Sequence, residues 1–334
     1  MEKIKDLLII GGDSRQLYMA DYLEERGFNI AVYGLPERAR KCVTELKRAR
    51  GIPVQQYLTA PQPADREPGL LVGEPFGYPA TLSSPPYTTG LINGLPQTDG
   101  NAVILPLPVT RDGRYVFSIV PVKETFDEMA AMFHKDQPIF AGMLSHSMRA
   151  RLEKRCDEVY DYFEREDVTV MNSVPTAQGI LKTMLENIEY TVHSSKCAVF
   201  GYGRIGKVTA DVLSAVGADV TVCVRRPSAI ALAAVNGLGG CLISDFYKSA
   251  DRYDIIINTV PAQVIDRKIL KNVRPDCLII DVASAPYGTD FAAAHELGIN
   301  ALQCSSLPGK TAPKTAGRII ADGVINILKE REYE

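Results

Sequence analysis

Three glycines at the spacing GxGxxG, Gly201, Gly203 and Gly206, lie in KCAVFGYGRIGKVTADVL (196–213), between an apolar strand-like run and a segment with helical apolar spacing. In that context each glycine has a physical purpose. Gly201 permits a tight turn, Gly203 lets the backbone approach a diphosphate, and Gly206 lets helix and strand pack closely. The helix that opens at Arg204 and Ile205 offers free N–H groups and its positive dipole end to the phosphates. The chemistry this spacing serves is dinucleotide binding. The next strand, ADVTVCV, ends in Arg225 and Arg226. Sites for NAD carry an Asp or Glu near this point to hold the ribose 2′-hydroxyl. Two guanidinium groups suit a 2′-phosphate instead, through charge-assisted, bidentate donors. The expected cofactor is NADP(H).

Two more strand ends belong to the same wall. IIINTVP (255–261) puts Thr259, Val260 and Pro261 beside the ribose next to the nicotinamide, and LIIDVASAP (278–286) puts Asp281, Ala283 and Ser284 on the cleft side. For Asp281 a capping or turn role is the alternative. The opposite wall comes from other segments. GGDSRQ (11–16) follows a strand and begins a helix, so Ser14, Arg15 and the first helical amides form an anion site, with capping by Asp13 or Ser14 as the alternative. LPLPVTRDG (105–113) leaves Thr110 and Arg111 at a strand end. NSVPTAQG (172–179) contributes Ser173, Pro175 and Thr176 at the opening of a helix expected over 176–189, and GKTAPKTAG (309–317) supplies Lys310, Thr311, Lys314 and Thr315. Hydroxyls, a few cations and helix N-termini together suit a small dicarboxylate. Of the four histidines, only His146 falls at a ligand-side strand end.

These groups need a scaffold. LLIIGG (7–12), a helical pattern over 14–26 and FNIAVYG (28–34) read as a βαβ opening. AVILPLP (102–108) and PIFAGML (138–144) read as buried strands, and Ser145 to Tyr162 as helical and charged. Strands follow at 196–201, 218–224, 254–259, 277–282 and 299–303, and a last helix at 314–330. Residues 53–108 hold 11 of the chain's 21 prolines, which excludes continuous helix or central strand and reads as a long loop or irregular subdomain. The predicted fold is α/β: two doubly wound parallel-sheet domains, the second a Rossmann dinucleotide-binding domain, with an active-site cleft between them. The boundaries are 1–150 for the first domain, to which the C-terminal helix 314–331 can return, 151–190 for joining helices, and 191–312 for the Rossmann domain.

Composition narrows the function classes. The 334 residues are 46% apolar and 23% charged with a net charge of −3, a globular balance that gives no general electrostatic case for nucleic acid. No apolar run is long enough to span a membrane, and the glycine-interrupted N-terminus does not read as a signal peptide. Seven scattered cysteines without a CxxC pair argue against a disulfide framework or a metal site and for a reducing cytoplasm. Cys197 and Cys223 fall in strand patterns and read as small buried hydrophobes.

The strings IIGGDSRQ (9–16), NSVPTAQG (172–179), GYGRIG (201–206), INTVPA (257–262), IDVASAPYGTDF (280–291) and LPGKTAPKTAG (307–317), in this order, resemble the A-subunit family of dipicolinate synthase. Tyr287 stands where the family pattern tends to show glycine, so a different backbone is expected there. The resemblance implies an NADP-dependent oxidoreductase of sporulation, on a branch of the lysine pathway, working beside a flavoprotein-like second subunit. Its substrate would be 4-hydroxy-tetrahydrodipicolinate, which loses water and a hydride to give dipicolinate. The gain of aromaticity reduces the need for acid–base assistance, in keeping with the absence of a histidine after His295. For the proton acceptor in water loss the sequence offers Asp13, with spontaneous dehydration as the alternative. Two other functions stay open: another NADP-dependent dehydrogenase or imine reductase of a small carboxylic acid, and a non-catalytic nucleotide-binding scaffold. Assembly as a homo-oligomer is open as well.

Overall fold

The computed structural model describes residues 4–35, 102–120 and 122–333. Most of the proline-rich stretch, including all of 53–100, lies outside the described residues. The first sheet is built from β1 (Asp6–Ile10), β2 (Asn29–Tyr33), β3 (Ala102–Ile104), β4 (Ile139–Ala141) and β5 (Val159–Asp161). All of its pairings are parallel, in the order β2-β1-β3-β4-β5. Helix α1 (Ser14–Glu25) connects β1 to β2; α2 (Phe126–Ala130) and α3 (His146–Glu153) precede β4 and β5. The strand order reverses between β1 and β3, and in open parallel sheets ligands bind beyond the carboxyl ends of strands at such a point.

The long helix α4 (Glu166–Asn187) leads into the second sheet: β6 (Lys196–Phe200), α5 (Arg204–Ala215), β7 (Asp219–Val224), α6 (Pro227–Val235), β8 (Gly239–Leu242), β9 (Ile255–Asn258), α7 (Arg267–Leu270), β10 (Leu278–Asp281), α8 (Phe291–Glu296) and β11 (Asn300–Gln303). The order β11-β10-β9-β6-β7-β8, parallel throughout, is the Rossmann order, with its reversal between β6 and β9. Alternate residues feed two cores. Cys197, Val199, Val222, Ile255, Ile257 and Ile280 pack on one face, and Ala198, Phe200, Cys223, Ile256 and Ile279 on the other. A sheet covered on both faces needs these continuous apolar strands. Cys197 and Cys223 are fully buried within them, as the strand pattern predicts.

Short α9 (Leu307–Thr311) and long α10 (Pro313–Glu330) close the chain. A Cβ on Gly317 would stand 2.3 Å from the Arg15 carbonyl oxygen, so α10 and α1 touch backbone to backbone. A Cβ on Gly179 would lie 2.8 Å from Leu307 Cβ, so α9 rests on α4.

Two sequence expectations need correction, and one strand was not foreseen. The helix expected over 176–189 runs from Glu166 to Asn187, with Pro175 inside it. A proline can open a helix because its missing N–H costs nothing there, but here the helix passes through it, held by burial of Val168, Ile180 and Met184. The helical, charged span from Ser145 to Tyr162 contains strand β5 as well. Strand β8 has no clear pattern in the sequence: Gly239 and Gly240 weaken any strand signal, and a Cβ on either would collide with Thr221 or Ile230.

Candidate active site

The glycine turn after β6 has the geometry a diphosphate needs. Gly201 has φ +92°, a conformation that L side chains rarely adopt, and a Cβ on Gly206 would stand 2.2 Å from the Gly201 carbonyl oxygen. Gly203 is different. It is exposed, and a Cβ built on it meets nothing within 4 Å. Gly203 is also the N-cap of α5, a 12-residue helix without a side-chain cap. The first turn of α5, Arg204, Ile205 and Gly206, thus has no side-chain cap, and the approach over Gly203 is open. This mouth fits a dinucleotide diphosphate. The Arg204 side chain turns away from it, donating to Thr169 Oγ1 at 2.6 Å and pairing with Glu166 at 3.4 Å on α4.

Arg225 and Arg226 leave β7 exposed, and neither forms an ion pair among the described residues. Arg226 caps α6 by backbone only. Thr259 donates from Oγ1 to the Phe200 carbonyl at 2.8 Å, beside Gly201. Val260 is half-buried and Pro261 is exposed.

Asp281 is placed otherwise than expected. Its carboxylate is fully buried and wholly occupied by the protein: Oδ1 accepts from Asn258 Nδ2 and the Ala283 N–H at 3.0 Å each, and Oδ2 accepts from the Gly288 N–H at 2.9 Å. The turn-forming alternative is realised, with the Asp281 oxygens bonded to the fold. What it gives the site is the shape of the turn at 283–288, from which Ser284 is exposed. Sequence reasoning missed its partner Asn258, which is fully buried and also binds the Val260 backbone through both amide atoms, at 3.0 and 3.1 Å. The available signal was a polar Asn at the end of an otherwise apolar strand. Tyr287 has φ +66°, the region that glycine favours. The backbone at 287 is thus in a glycine-type conformation despite the side chain, which packs edge-on to Phe291.

At the first sheet, Asp13 is the N-cap of α1 and forms a reciprocal capping box with Gln16. Its carboxylate also grips Arg15: Nε to Oδ1 and Nη2 to Oδ2, both at 2.9 Å, while Nη2 reaches the Leu107 carbonyl at 2.5 Å. Both residues are buried. The Arg15 guanidinium expected in an anion site is therefore paired internally with Asp13, and it ties the β1 turn to the chain leaving β3. Tyr162 hangs onto the same exit through its hydroxyl, which donates to the Leu105 carbonyl at 3.0 Å; burial pushes that phenol well above its ordinary range. Asp13 as a free proton acceptor is corrected in the same way, because its oxygens are already shared by the guanidinium and the Arg15 amide. Ser14 is half-buried with no side-chain partner among the described residues.

Three more hydroxyls expected at the site are engaged within the fold. Ser173 and Thr176 are buried and donate to helix carbonyls, Val170 at 2.5 Å and Asn172 at 2.7 Å, as such residues do in helix interiors. Pro175 is buried beside them. Thr110 Oγ1 donates to Asp112 at 3.1 Å and accepts the Gly113 N–H at 2.7 Å, closing a turn. His146 is an exposed first residue of α3. Lys310 and Lys314 are exposed and unpaired among the described residues. The structure brings LPGKT together with GGDSR: a Cβ on Gly309 would stand 3.0 Å from Arg15 Nε and 3.3 Å from Asp13 Oδ2.

Comparison with known proteins agrees with this arrangement. Residues 6–56 match the family model of the N-terminal domain of the dipicolinate synthase A subunit, and residues 170–294 match the D-isomer specific 2-hydroxyacid dehydrogenase, NAD binding domain. A 248-residue stretch, 73% of this chain and 82% of the relative, is 32% identical to the dipicolinate synthase A subunit of Bacillus subtilis (strain 168). The crystal structure of the dipicolinate synthase A subunit from Bacillus halodurans superposes with a TM-score of 0.75 at 28% identity, covering 98% of this chain and 99% of that one. Its counterpart in the crystal structure of dipicolinate synthase from Bacillus subtilis gives 0.74 at 27%, covering 99% and 98%. A transhydrogenase from Sinorhizobium meliloti shares the fold alone, with a TM-score of 0.61 at 12% identity and coverage of 98% and 94%. A dehydrogenase-type dinucleotide domain follows an N-terminal segment of the synthase type, and the identity extends over most of both chains. On these grounds the chain belongs to the A-subunit family of dipicolinate synthase.

Proposed function

We propose that this protein is an NADP-dependent oxidoreductase that converts 4-hydroxy-tetrahydrodipicolinate to dipicolinate. The observation that carries the reading is the pairing of a glycine turn, open at Gly203, with two exposed arginines at the end of β7 that form no ion pair among the described residues. Family membership supports dipicolinate as the product, because the relatives named above are A subunits of dipicolinate synthase.

In this reading the amides at Gly203, Arg204, Ile205 and Gly206 hold the diphosphate, and Arg225 and Arg226 hold the 2′-phosphate. Thr259, Val260, Pro261 and Ala283 flank the nicotinamide ribose, on a wall held rigid by Asn258 and Asp281. Ser14, Ser284 and Lys314 face the substrate. When bound, the oxidised nicotinamide accepts a hydride; with loss of one water and one proton, the ring becomes aromatic. The chain's own contribution is then orientation, which by itself can supply a large part of a barrier reduction. The Asp13–Arg15 pair keeps the substrate-side turn fixed.

The same reading makes 1–150, joined by the C-terminal helix, the substrate-side domain and 191–312 the cofactor domain, linked by 151–190. It places the protein in the cytoplasm of a sporulating cell beside a flavoprotein-like second subunit. No helix among the described residues is long and apolar enough to cross a membrane.

The test is turnover. Fresh 4-hydroxy-tetrahydrodipicolinate and NADP+ are mixed with the protein, with and without the second subunit. NADPH is followed by absorbance and dipicolinate is identified by mass. Tight NADPH binding without any turnover would favour a nucleotide-binding scaffold instead.

A further inference from the structure

We propose that Lys310 is the cation that receives one carboxylate of the substrate, and that Arg15 is a positioning residue beneath it. The proposal rests on the dicarboxylate reading above and assigns the charge that reading requires.

A ligand with two carboxylates is held best where cations are accessible. Arg15 spends most of its guanidinium inside the fold. Its Nε and Nη2 are committed to the two oxygens of Asp13, Nη2 is shared with the Leu107 carbonyl, and both side chains are more than nine-tenths buried. An anion that took Nε or Nη2 would have to displace Asp13 and leave a buried carboxylate without its partner, which is strongly unfavourable. Only Nη1 stays uncommitted among the described residues, and the pair carries no net charge.

What lies against it is the backbone of α9. Gly309 sits so close to Arg15 and Asp13 that a Cβ there would be 3.0 Å from Nε. The adjacent residue is Lys310, exposed and unpaired among the described residues. On its other side Lys310 acts on Cys304: burial raises that thiol, and the nearby ammonium works against the rise. Cys304 directly follows β11, and its N–H donates to the Asp281 carbonyl at the end of β10 at 2.8 Å. Lys310 therefore follows the residue that rests on the β1 turn of the first sheet, and its charge is felt at Cys304, next to the β10 end of the second. These are the edges at which parallel sheets of this kind take their ligands. Lys314, exposed and unpaired among the described residues, lies in the first turn of α10 and supplies the second charge.

The full-length protein, as wild type, Lys310→Gln, Lys310→Arg and Arg15→Lys, is assayed for turnover, for dipicolinate and NADPH binding by calorimetry, and for thermal midpoint. Loss of one charged hydrogen bond predicts that Lys310→Gln raises KM and weakens dipicolinate binding about 10- to 100-fold. Its NADPH affinity and thermal midpoint stay unchanged, and Lys310→Arg restores most of the loss. Arg15→Lys keeps the charge but loses the fork; it is expected to lower kcat about tenfold through misplacement and to lower the thermal midpoint, with KM nearly unchanged. An active wild type whose Lys310→Gln variant behaves identically overturns the Lys310 assignment and leaves the function standing. A KM defect in Arg15→Lys with Lys310→Gln neutral returns the carboxylate to Arg15. A wild type that neither binds dipicolinate nor reduces NADP+ overturns the function and this assignment together.

Discussion

Gly203 and Gly206 stand three residues apart in one motif, yet a methyl group would meet very different surroundings at each. At Gly206 it would lie 2.2 Å from a backbone oxygen that cannot move aside; at Gly203 it would enter open space. Gly203→Ala is therefore expected to fold, losing at most about 1 kcal/mol as an N-cap, while NADPH affinity drops at least about tenfold because the methyl occupies the diphosphate approach. Gly206→Ala should lose both stability and affinity. Chemical denaturation and calorimetry on the two variants separate these outcomes. For the exposed arginines after β7, Arg225→Ala and Arg226→Ala are each expected to weaken NADPH about 10- to 100-fold, the worth of one charged hydrogen bond, and to leave NADH affinity unaltered. Equal losses for both cofactors would remove the 2′-phosphate role. The glycine motif and the arginine pair could be read from sequence because their chemistry is local. The Asn258–Asp281 brace could not, since the two residues are 23 apart and meet only through the register of β9 with β10.

Helix α4 shows how an element can mislead when read alone. Pro175 and the flanking hydroxyls imitate a helix start, and only the burial of the whole 166–187 segment explains why the helix runs through. Its true beginning is fixed by an ionic cluster: Arg165 pairs with Asp167 and Glu330, and Asn326 donates to Asp167 at 3.0 Å. Hydrogen bonds from Arg165 hold the Asp167 carboxyl down at about 2, against about 3.9 when unfolded. The stabilisation this group provides is thus complete above about pH 4 and is lost as pH falls through about 2. Because Asp167 is 43% exposed, solvent screens the pair and its worth is at most about 1 kcal/mol. Asp167→Asn should be slightly less stable than wild type at pH 7. Its stability should also fall less steeply between pH 4 and 2, as followed by urea denaturation at a series of pH values. An unchanged acid limb would show that the cluster does not couple α4 to α10.

Across the molecule, the last helix returns to the first. Gly317 brings the α10 backbone against the Arg15 carbonyl and within 3.0 Å, from its Cβ position, of the Met19 nitrogen. Gly317→Ala therefore requires the two helices to part, at a cost of about 1–3 kcal/mol. Because α1 begins at the Asp13–Arg15 turn, substrate KM should rise while NADPH affinity, set at the second sheet, is retained. Denaturation curves together with both binding constants check this; a matching loss of NADPH affinity would mean that the two sheets respond as one.

The parallel α/β class, the dinucleotide turn and the family were legible in the amino-acid order alone, because strand periodicity, glycine spacing and the helix that follows are properties of contiguous residues. That order left open what became of Asp13, Arg15, Thr110, Ser173, Thr176 and Asp281. Each carries a polar group that can serve a ligand or the fold, and the choice depends on which carbonyl, amide or carboxylate packing brings within about 3 Å. The tertiary structure commits all six to internal hydrogen bonds. By seating Gly309 on the Asp13–Arg15 pair, it leaves the neighbouring lysine as an accessible charge.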